Sequence, residues 1–112
     1  MEEEWKNING FEKYTVSNYG QIKRGDLVMK FFDNGLGYLV VRIRNEGHKR
    51  ERFYVHRLVL ETFQPKTQEK LEVNHIDHNK ANNHLDNLEW VTHKDNLRKA
   101  VIALGKSAFC HH

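Results

Sequence analysis

The sequence predicts an α+β fold: a small N-terminal antiparallel β-sheet with a short helix, followed by a ββα unit. Short alternating runs of apolar and polar residues, separated by Gly, Asn and Asp, fill residues 14–55 and indicate paired strands. Residues 56–63 instead carry apolar side chains at helical spacing. Residues 71–99 contain two short apolar runs, a long polar loop between them and a helix start, which is the pattern of a ββα unit.

Five short strands are expected in the N-terminal part of the chain. They are placed at residues 14–17, 21–24, 27–32, 37–44 and 50–55, with turns at 18–20, 25–26, 33–35 and 45–47. Alternation in the fourth strand separates two faces. One face carries Leu39, Val41 and Ile43, and the other carries Tyr38, Val40, Arg42 and Arg44.

A short helix is expected at residues 56–63, HRLVLETF. Leu58, Val59 and Phe63 have helical spacing, and Pro65 follows just past the end. We expect this helix to plug the sheet, with His56 as a packed and hydrogen-bonded histidine.

The ββα unit places strands at residues 71–74 and 88–91, around a loop rich in Asn, Asp and His that must hydrogen-bond itself into shape. Thr92 is the expected N-cap of the final helix, with Asp95 three residues on. This helix is expected to bury Leu97, Val101 and Leu104 and to end at Gly105. The chain thus divides into a β-rich module at 1–55, a connecting helix and loop at 56–70, the ββα unit at 71–105 and a tail at 106–112.

Composition excludes several classes of protein. The 112 residues suit one modest domain, and 38% hydrophobic with 29% charged residues is typical of a soluble globular chain. No apolar run approaches the ~20 residues that span a bilayer. The acidic N-terminus lacks an apolar signal core, and the single Cys110 forms no disulfide framework. We therefore expect a cytoplasmic protein with no membrane association and no obligate protein partner.

Cations collect on one side of the expected sheet. The side chains that could follow the phosphates of a nucleic acid are Lys23, Arg24, Arg42, Arg44, Lys49, Arg50 and Arg52. The alternative is an ordinary solvated face of a half-buried sheet, and charge alone favours this alternative.

The polar stretch has the residues needed to hydrolyse a phosphodiester. Asn74 ends the first strand and Asn96 lies in the first turn of the helix, so their side-chain oxygens could meet at one divalent cation such as Mg²⁺ (or Mn²⁺). His75 has a pKa suited to deprotonating a water. A cation that stabilises the phosphate opposite this base is sufficient for the reaction. Asn87 is placed to clamp the loop.

Zinc is the alternative metal for this stretch. It would need three or four nitrogens to converge without cysteine, from among His75, His78, His84 and His93. We therefore expect no structural zinc.

The chain resembles the HNH endonucleases of phages and introns. NHIDHNKANNHLDNLEWVTHKDN is similar to the HNH motif, and WKNINGFEKYTVSNYGQIKR is similar to the modular domain that often precedes this nuclease. VHRLVLETF resembles the connecting helix of the same proteins. The resemblance covers roughly residues 4–100, with two specific motifs in the expected order.

The resemblance implies a role for each matching residue. His75 matches the general base, Asn96 a metal ligand and Asn87 the Asn that holds the loop of the base. Asn74 falls where the best-studied members carry Asp as the second ligand. The resemblance also implies a double-stranded DNA substrate, one divalent cation, and DNA contacts from the basic side chains Arg42, Arg44, Arg50, Arg52, Arg57 and Lys80.

Three departures from the family pattern bear on function. Asn74 is neutral where the best-studied relatives carry a carboxylate; because the family tolerates amides there, this predicts weaker metal binding rather than its loss. His78 stands where the loop usually has Gly, in a position that favours positive φ. Many relatives continue into a C-terminal helix-turn-helix; we expect this chain to lack it and to have a shorter or looser recognition site.

Three functional interpretations follow. The first is a metal-dependent HNH DNA endonuclease of phage or mobile-element type, acting in a bacterial cytoplasm and nicking one strand as a monomer because it has one active centre. The second is a DNA-binding module of the same family whose catalysis is weakened at Asn74. The third is a structural domain whose polar loop only satisfies itself.

Overall fold

Nine short strands and one helix make up the part of the chain that the structure describes. The structure is a computed structural model, and it describes residues 2–44, 47, 49–68, 70–95 and 97. It is mixed α and β with antiparallel sheets, which confirms the predicted fold class. The limits of the domains stay a prediction.

The first sheet has four antiparallel strands in the order β1-β2-β3-β4. These are β1 (Trp5–Ile8), β2 (Phe11–Ser17), β3 (Ile22–Arg24) and β4 (Leu27–Val28). The turn at 18–20 and the returning strand were predicted, whereas β1 was not. Because β1 alternates poorly and only Ile8 is buried, its sequence carries little strand signal.

The second sheet has three antiparallel strands in the order β5-β6-β7. These are β5 (Phe32–Asp33), β6 (Leu39–Arg44) and β7 (Arg50–Tyr54). Two predictions were wrong here, since one N-terminal sheet was expected and residues 27–32 were expected to form one strand. Instead the chain leaves the first sheet after Val28, with the Met29 N–H bonded to the Ile22 carbonyl at 2.8 Å, and pairs again only at Phe32.

The helix α1 (Val55–Phe63) follows β7 directly and agrees with the expected helix to within one residue. Its buried face carries Val55, Leu58, Val59 and Leu60. This helix contacts strands of all three sheets, whereas it was expected to pack against a single sheet. Within the described ranges, no helix is both long and apolar enough to cross a membrane.

The third sheet pairs β8 (Leu71–His75) with β9 (Leu88–Thr92), close to the predicted strands. After β9, residues 93–95 begin a helix, and the Asp95 N–H donates to the Thr92 hydroxyl at 3.2 Å, as expected of an N-cap. Leu97 is 54% exposed, so its predicted burial is wrong. Val101, Leu104, Gly105 and the tail at 106–112 lie outside the described residues.

One hydrophobic core joins the three sheets. It contains Tyr14 and Val16 from the first sheet, Ile43 from the second, Val59 from α1 and Leu88 from the third. The Tyr14 hydroxyl also accepts a hydrogen bond from the Arg44 N–H at 3.1 Å, which ties the first sheet to the second. The β-rich part of the chain therefore supports the ββα unit through shared packing.

Candidate active site

The site lies where β8 and β9 meet the polar loop between them. His75 is paired with Leu88, and Asn74 with Glu89, at the loop ends of the two strands. A single 3₁₀ turn, Leu85–Asn87, leads the loop back into β9. The side chains of Asn74 and His75 are both buried, which is unusual for polar groups and requires partners inside the protein.

Asn87 holds the two ends of this loop together. Its Oδ1 accepts the Asp77 N–H at 3.0 Å, and its Nδ2 donates to Asp77 Oδ1 and to the Asn82 carbonyl, each at 2.9 Å. Its backbone carbonyl accepts the Ile76 N–H at 2.8 Å. The contacts are those expected of a residue that clamps the segment following His75.

The rest of the loop is built from Asx turns, as its composition predicted. The Asn79 N–H donates to Asp77 Oδ1 at 2.8 Å, and the Ala81 N–H donates to Asn79 Oδ1 at 3.0 Å. Asn82 Nδ2 also donates to Asp77 Oδ2 at 2.8 Å, and this bond is the main reason that the pKa of Asp77 is lowered. His78 has φ +63°, so a left-handed residue does occupy the position where relatives carry Gly.

His75 is fixed by Asn83, which the sequence interpretation missed. His75 Nε2 lies 2.9 Å from Asn83 Oδ1. An amide oxygen only accepts, so the imidazole carries its proton on Nε2, and Nδ1 is left with a lone pair. Burial lowers the pKa of His75; the bond to Asn83 and the charge of Asp77 oppose this shift, whereas Lys80 reinforces it. The ring is therefore neutral near pH 7 and able to accept a proton.

A second histidine packs against His75. The ring centroids of His56 and His75 are 5.1 Å apart in an edge-to-face arrangement, and Tyr38 and Tyr54 lie 5.3 and 5.2 Å from His56. His56 is packed as expected, but its buried Nδ1 has no hydrogen-bond partner among the described residues, contrary to the predicted hydrogen bonding. Burial, with smaller effects of His75 and Arg57, lowers the pKa of His56 to about 3.

The first sheet supports the loop directly through its turn at residues 17–20. The Asn18 carbonyl accepts the Leu85 N–H at 2.7 Å, and the Tyr19 ring stacks on His84 at 5.0 Å. A Cβ on Gly20 would lie 2.8 Å from the Asn83 carbonyl oxygen. The N-terminal turn thus sets the position of the segment that orients His75.

Of the two expected metal ligands, Asn74 lies within the described residues and Asn96 does not. Asn74 Nδ2 donates to Glu89 Oε2 at 2.8 Å. Within the described part of the chain, no three His, Cys, Asp or Glu side chains are grouped to hold a metal ion. The amide oxygen of Asn74 and the carboxylate beside it are nevertheless hard oxygen donors, which suit Mg²⁺ or Mn²⁺.

The arginines of β6 and β7 share one exposed face, as predicted. Arg42 pairs with Arg52 and Arg44 with Arg50, directly across the two strands. Like charges in that position repel each other, and no described carboxylate lies within 4.0 Å of any of the four. A groove of about 330 Å³ extends this face to Arg24. The arrangement favours a polyanionic ligand over an ordinary solvated surface.

The other two residues expected to contact DNA, Lys80 and Arg57, also contact groups within the protein. Lys80 Nζ donates to the Leu36 carbonyl at 3.0 Å and lies 4.8 Å from the centre of the Tyr38 ring. Arg57 Nε is 3.8 Å from Glu61 Oε1 on the exposed side of α1. Both side chains remain at the surface, and their contact with DNA stays a prediction.

Asn83 and Glu89 are the site residues that the sequence interpretation did not single out. Asn83 stands among several asparagines in the loop, and nothing in the pattern separates it from a turn residue. Glu89 occupies the variable position of an NL-x-W-V-T motif. Its pairing with Asn74 could have been found by aligning the two strands about the loop, because directly opposite residues share a face.

Comparison with known families and proteins identifies the chain. Residues 53–98 match the HNH endonuclease model, and residues 3–44 match the NUMOD4 motif. The chain contains an HNH endonuclease domain preceded by a NUMOD4 motif. Both parts of the resemblance seen in the sequence are therefore confirmed, including the modular domain before the nuclease.

Several viral and phage proteins are similar to this HNH chain. DNA endonuclease I-HmuI of Bacillus phage SP01 is 42% identical over 102 residues, covering 88% of this chain and 58% of that protein. H-N-H endonuclease F-TflII of Escherichia phage T5 is 31% identical, covering 92% of this chain and 55% of that protein. An uncharacterized HNH endonuclease of Acanthamoeba polyphaga mimivirus is 39% identical, but the match spans only 26% of its length.

A solved structure has the same fold. It describes DNA binding and cleavage by the HNH homing endonuclease I-HmuI, and it matches this chain with a TM-score of 0.82 and 37% identity. The match covers 92% of this chain and 60% of the other. The present chain thus spans only part of the length of its relatives.

Gly20→Ala should destabilise the protein by two mechanisms. The φ of +86° disfavours a side chain by about 1–2 kcal/mol, and the contact with the Asn83 backbone adds an overpacking penalty of about 1–3 kcal/mol. Gly25→Ala is the matched control, because Gly25 has φ +60° but nothing within 4 Å of the added Cβ. Urea denaturation should show the larger loss at Gly20, and equal losses would contradict the proposed support of Asn83.

His56 should make the folded state sensitive to acid. Its pKa is about 3 when folded, against an ordinary value of 6.5. Between these values the unfolded chain binds a proton that the folded chain does not, so stability falls as pH falls, by at most about 1.4 kcal/mol per unit from this group. In His56→Gln the free energy of unfolding should depend less steeply on pH between roughly pH 6 and pH 4. An unchanged slope would show that His56 is not buried neutral.

Proposed function

We propose that this chain is a metal-dependent DNA endonuclease that hydrolyses one phosphodiester bond per encounter and, as a monomer, nicks one strand. The observation that carries the proposal is the environment of His75. The imidazole is buried, oriented by Asn83 through Nε2, and neutral near pH 7. This environment supports a role as general base, because one nitrogen is anchored and the other is left to accept a proton.

His75 is the group that activates water in this proposal. A water beside Nδ1 would lose its proton to the ring as the oxygen attacks phosphorus. Asn83 keeps the correct tautomer, and Asn87 keeps the following residues in place. The bulk of Tyr38 and His56 against the ring limits its rotation.

Oxygen donors next to His75 would hold the divalent cation. In this proposal they are the amide oxygens of Asn74 and Asn96, the latter outside the described residues. A bound Mg²⁺ or Mn²⁺ would supply positive charge to the phosphate and to the leaving oxygen.

The exposed arginines of β6 and β7 would bind the DNA backbone. Four cations held in two like-charged cross-strand pairs repel one another until a polyanion neutralises them. The solved I-HmuI structure concerns DNA binding and cleavage by that protein, which supports the same substrate here. Arg57 and Lys80 are assigned to the DNA interface by the family resemblance alone.

His75→Ala should abolish nicking while DNA binding survives, because the variant removes the base and leaves the arginine face intact. The assay is conversion of supercoiled plasmid to open circles with Mg²⁺ or Mn²⁺ against EDTA. Nicking that persists in the variant would remove His75 from the mechanism. A metal-independent nick would contradict the cation. DNA binding without any nicking in the unaltered chain would favour the DNA-binding module weakened at Asn74.

The arginine face should be visible in the salt dependence of DNA binding. Removing two phosphate contacts with Arg42→Gln/Arg52→Gln should reduce the slope of log K against log salt by about 1–2, since each contact contributes about 0.9. Fluorescence anisotropy with a labelled duplex measures this slope. Lys13→Gln is the control, because it removes exposed charge from the first sheet. A slope that changes equally in both variants would argue against a defined interface on β6 and β7.

A further inference from the structure

The departure of Asn74 from the family pattern has a counterpart on the neighbouring strand. Asn74 and Glu89 are directly opposite in the β8–β9 register, so both side chains rise from the same face of the sheet. Asn74 Nδ2 donates to Glu89 Oε2 at 2.8 Å. A carboxylate is therefore present within hydrogen-bond distance of the position where relatives carry an acidic ligand.

We propose that Glu89 supplies the anionic ligand that Asn74 lacks, so that the divalent cation is bound by a Glu89 carboxylate oxygen together with the Asn74 amide oxygen. This rests on the proposed function, and it names the source of negative charge at that site. A neutral amide attracts a dication less than a carboxylate does. With Glu89 as a ligand, the charge of the site is restored by a residue on β9 instead of β8.

The hydrogen bond between the two side chains is compatible with shared coordination. A carboxylate only accepts, so the Asn74 amide must turn its nitrogen toward Glu89. The contact with Asn74 is made through Oε2, and a carboxylate can accept from several partners at once over its two oxygens. Metal-bound carboxylates are commonly held by such hydrogen bonds from neighbouring side chains.

Glu89 fits this role better than the other carboxylate on the same face. Glu72 lies two residues before Asn74 on β8, and its Oε2 is 2.6 Å from His93 Nδ1 at the start of the final helix. Glu72 is also farther from His75 along β8, whereas Glu89 lies opposite Asn74, which is adjacent to His75. The cation must act on the same phosphate as His75, which favours Glu89.

The test is a Mn²⁺ titration followed by electron paramagnetic resonance, with the intact chain and no DNA. Glu89→Gln keeps a hydrogen-bond acceptor for Asn74 and removes only the charge. It should weaken Mn²⁺ binding by at least about 10- to 100-fold, because altering a group that only supports a metal ligand already costs that much. The double variant Asn74→Asp/Glu89→Gln moves the carboxylate back to β8 and should restore most of the affinity.

Glu61→Gln is the matched control, because it removes the same charge from the exposed side of α1. Equal affinity in the unaltered chain, Glu89→Gln and Glu61→Gln would overturn the role of Glu89 while leaving the metal site in place. An equal loss in both single variants would also overturn it, since only net charge would then matter. If neither the unaltered chain nor any variant binds Mn²⁺, including Asn74→Asp/Glu89→Gln, the metal-dependent function itself would be overturned.

Discussion

Burial of one short helix is the constraint on which the rest of this structure depends. Val55, Val59 and Leu60 of α1 are fully buried, and each such side chain stabilises the folded state by roughly 1.5–3 kcal/mol. The helix contacts all three sheets, including the two-stranded β8–β9 sheet, which needs such packing because an isolated strand pair is only marginally stable in water. Because α1 begins directly after β7, the same packing brings His56 against His75. The hydrophobic core and the proposed catalytic base are therefore positioned by the same element.

The side chains around His75 are held in place by hydrogen bonds within the protein. Asn87 and Asp77 close the loop, and Asn83 anchors the imidazole of His75. The first sheet adds a contact from the Asn18 carbonyl to the 3₁₀ turn. A base that is held from several sides loses little freedom when substrate binds, which is how preorganised sites lower activation barriers. The loop forms many of its hydrogen bonds among its own Asp and Asn residues, and these bonds do not require the buried histidines.

Charge is distributed in a way that separates binding from chemistry. Arginines occupy the exposed face of β6 and β7, where Arg42 and Arg52 repel each other across the strands. Carboxylates lie instead on the β8–β9 sheet, where Glu89 contacts Asn74. A polyanion would be attracted to the first surface, and a cation would be attracted to the second. The proposed nuclease uses both attractions at one phosphodiester.

The sequence by itself determined the fold class, α1, the β8–β9 pair and the cationic face, because each depends on local periodicity or turn chemistry. It also singled out His75 and Asn87 through their motif. It could not place β1, or break the run at residues 27–32, since those strands are defined by their partners rather than by their own residues. Tertiary structure alone decided that Asn83 anchors His75 and that the side chains of Asn74 and Glu89, which strand alignment could have placed opposite each other, form a hydrogen bond. These contacts depend on distance in space, which a sequence pattern does not encode.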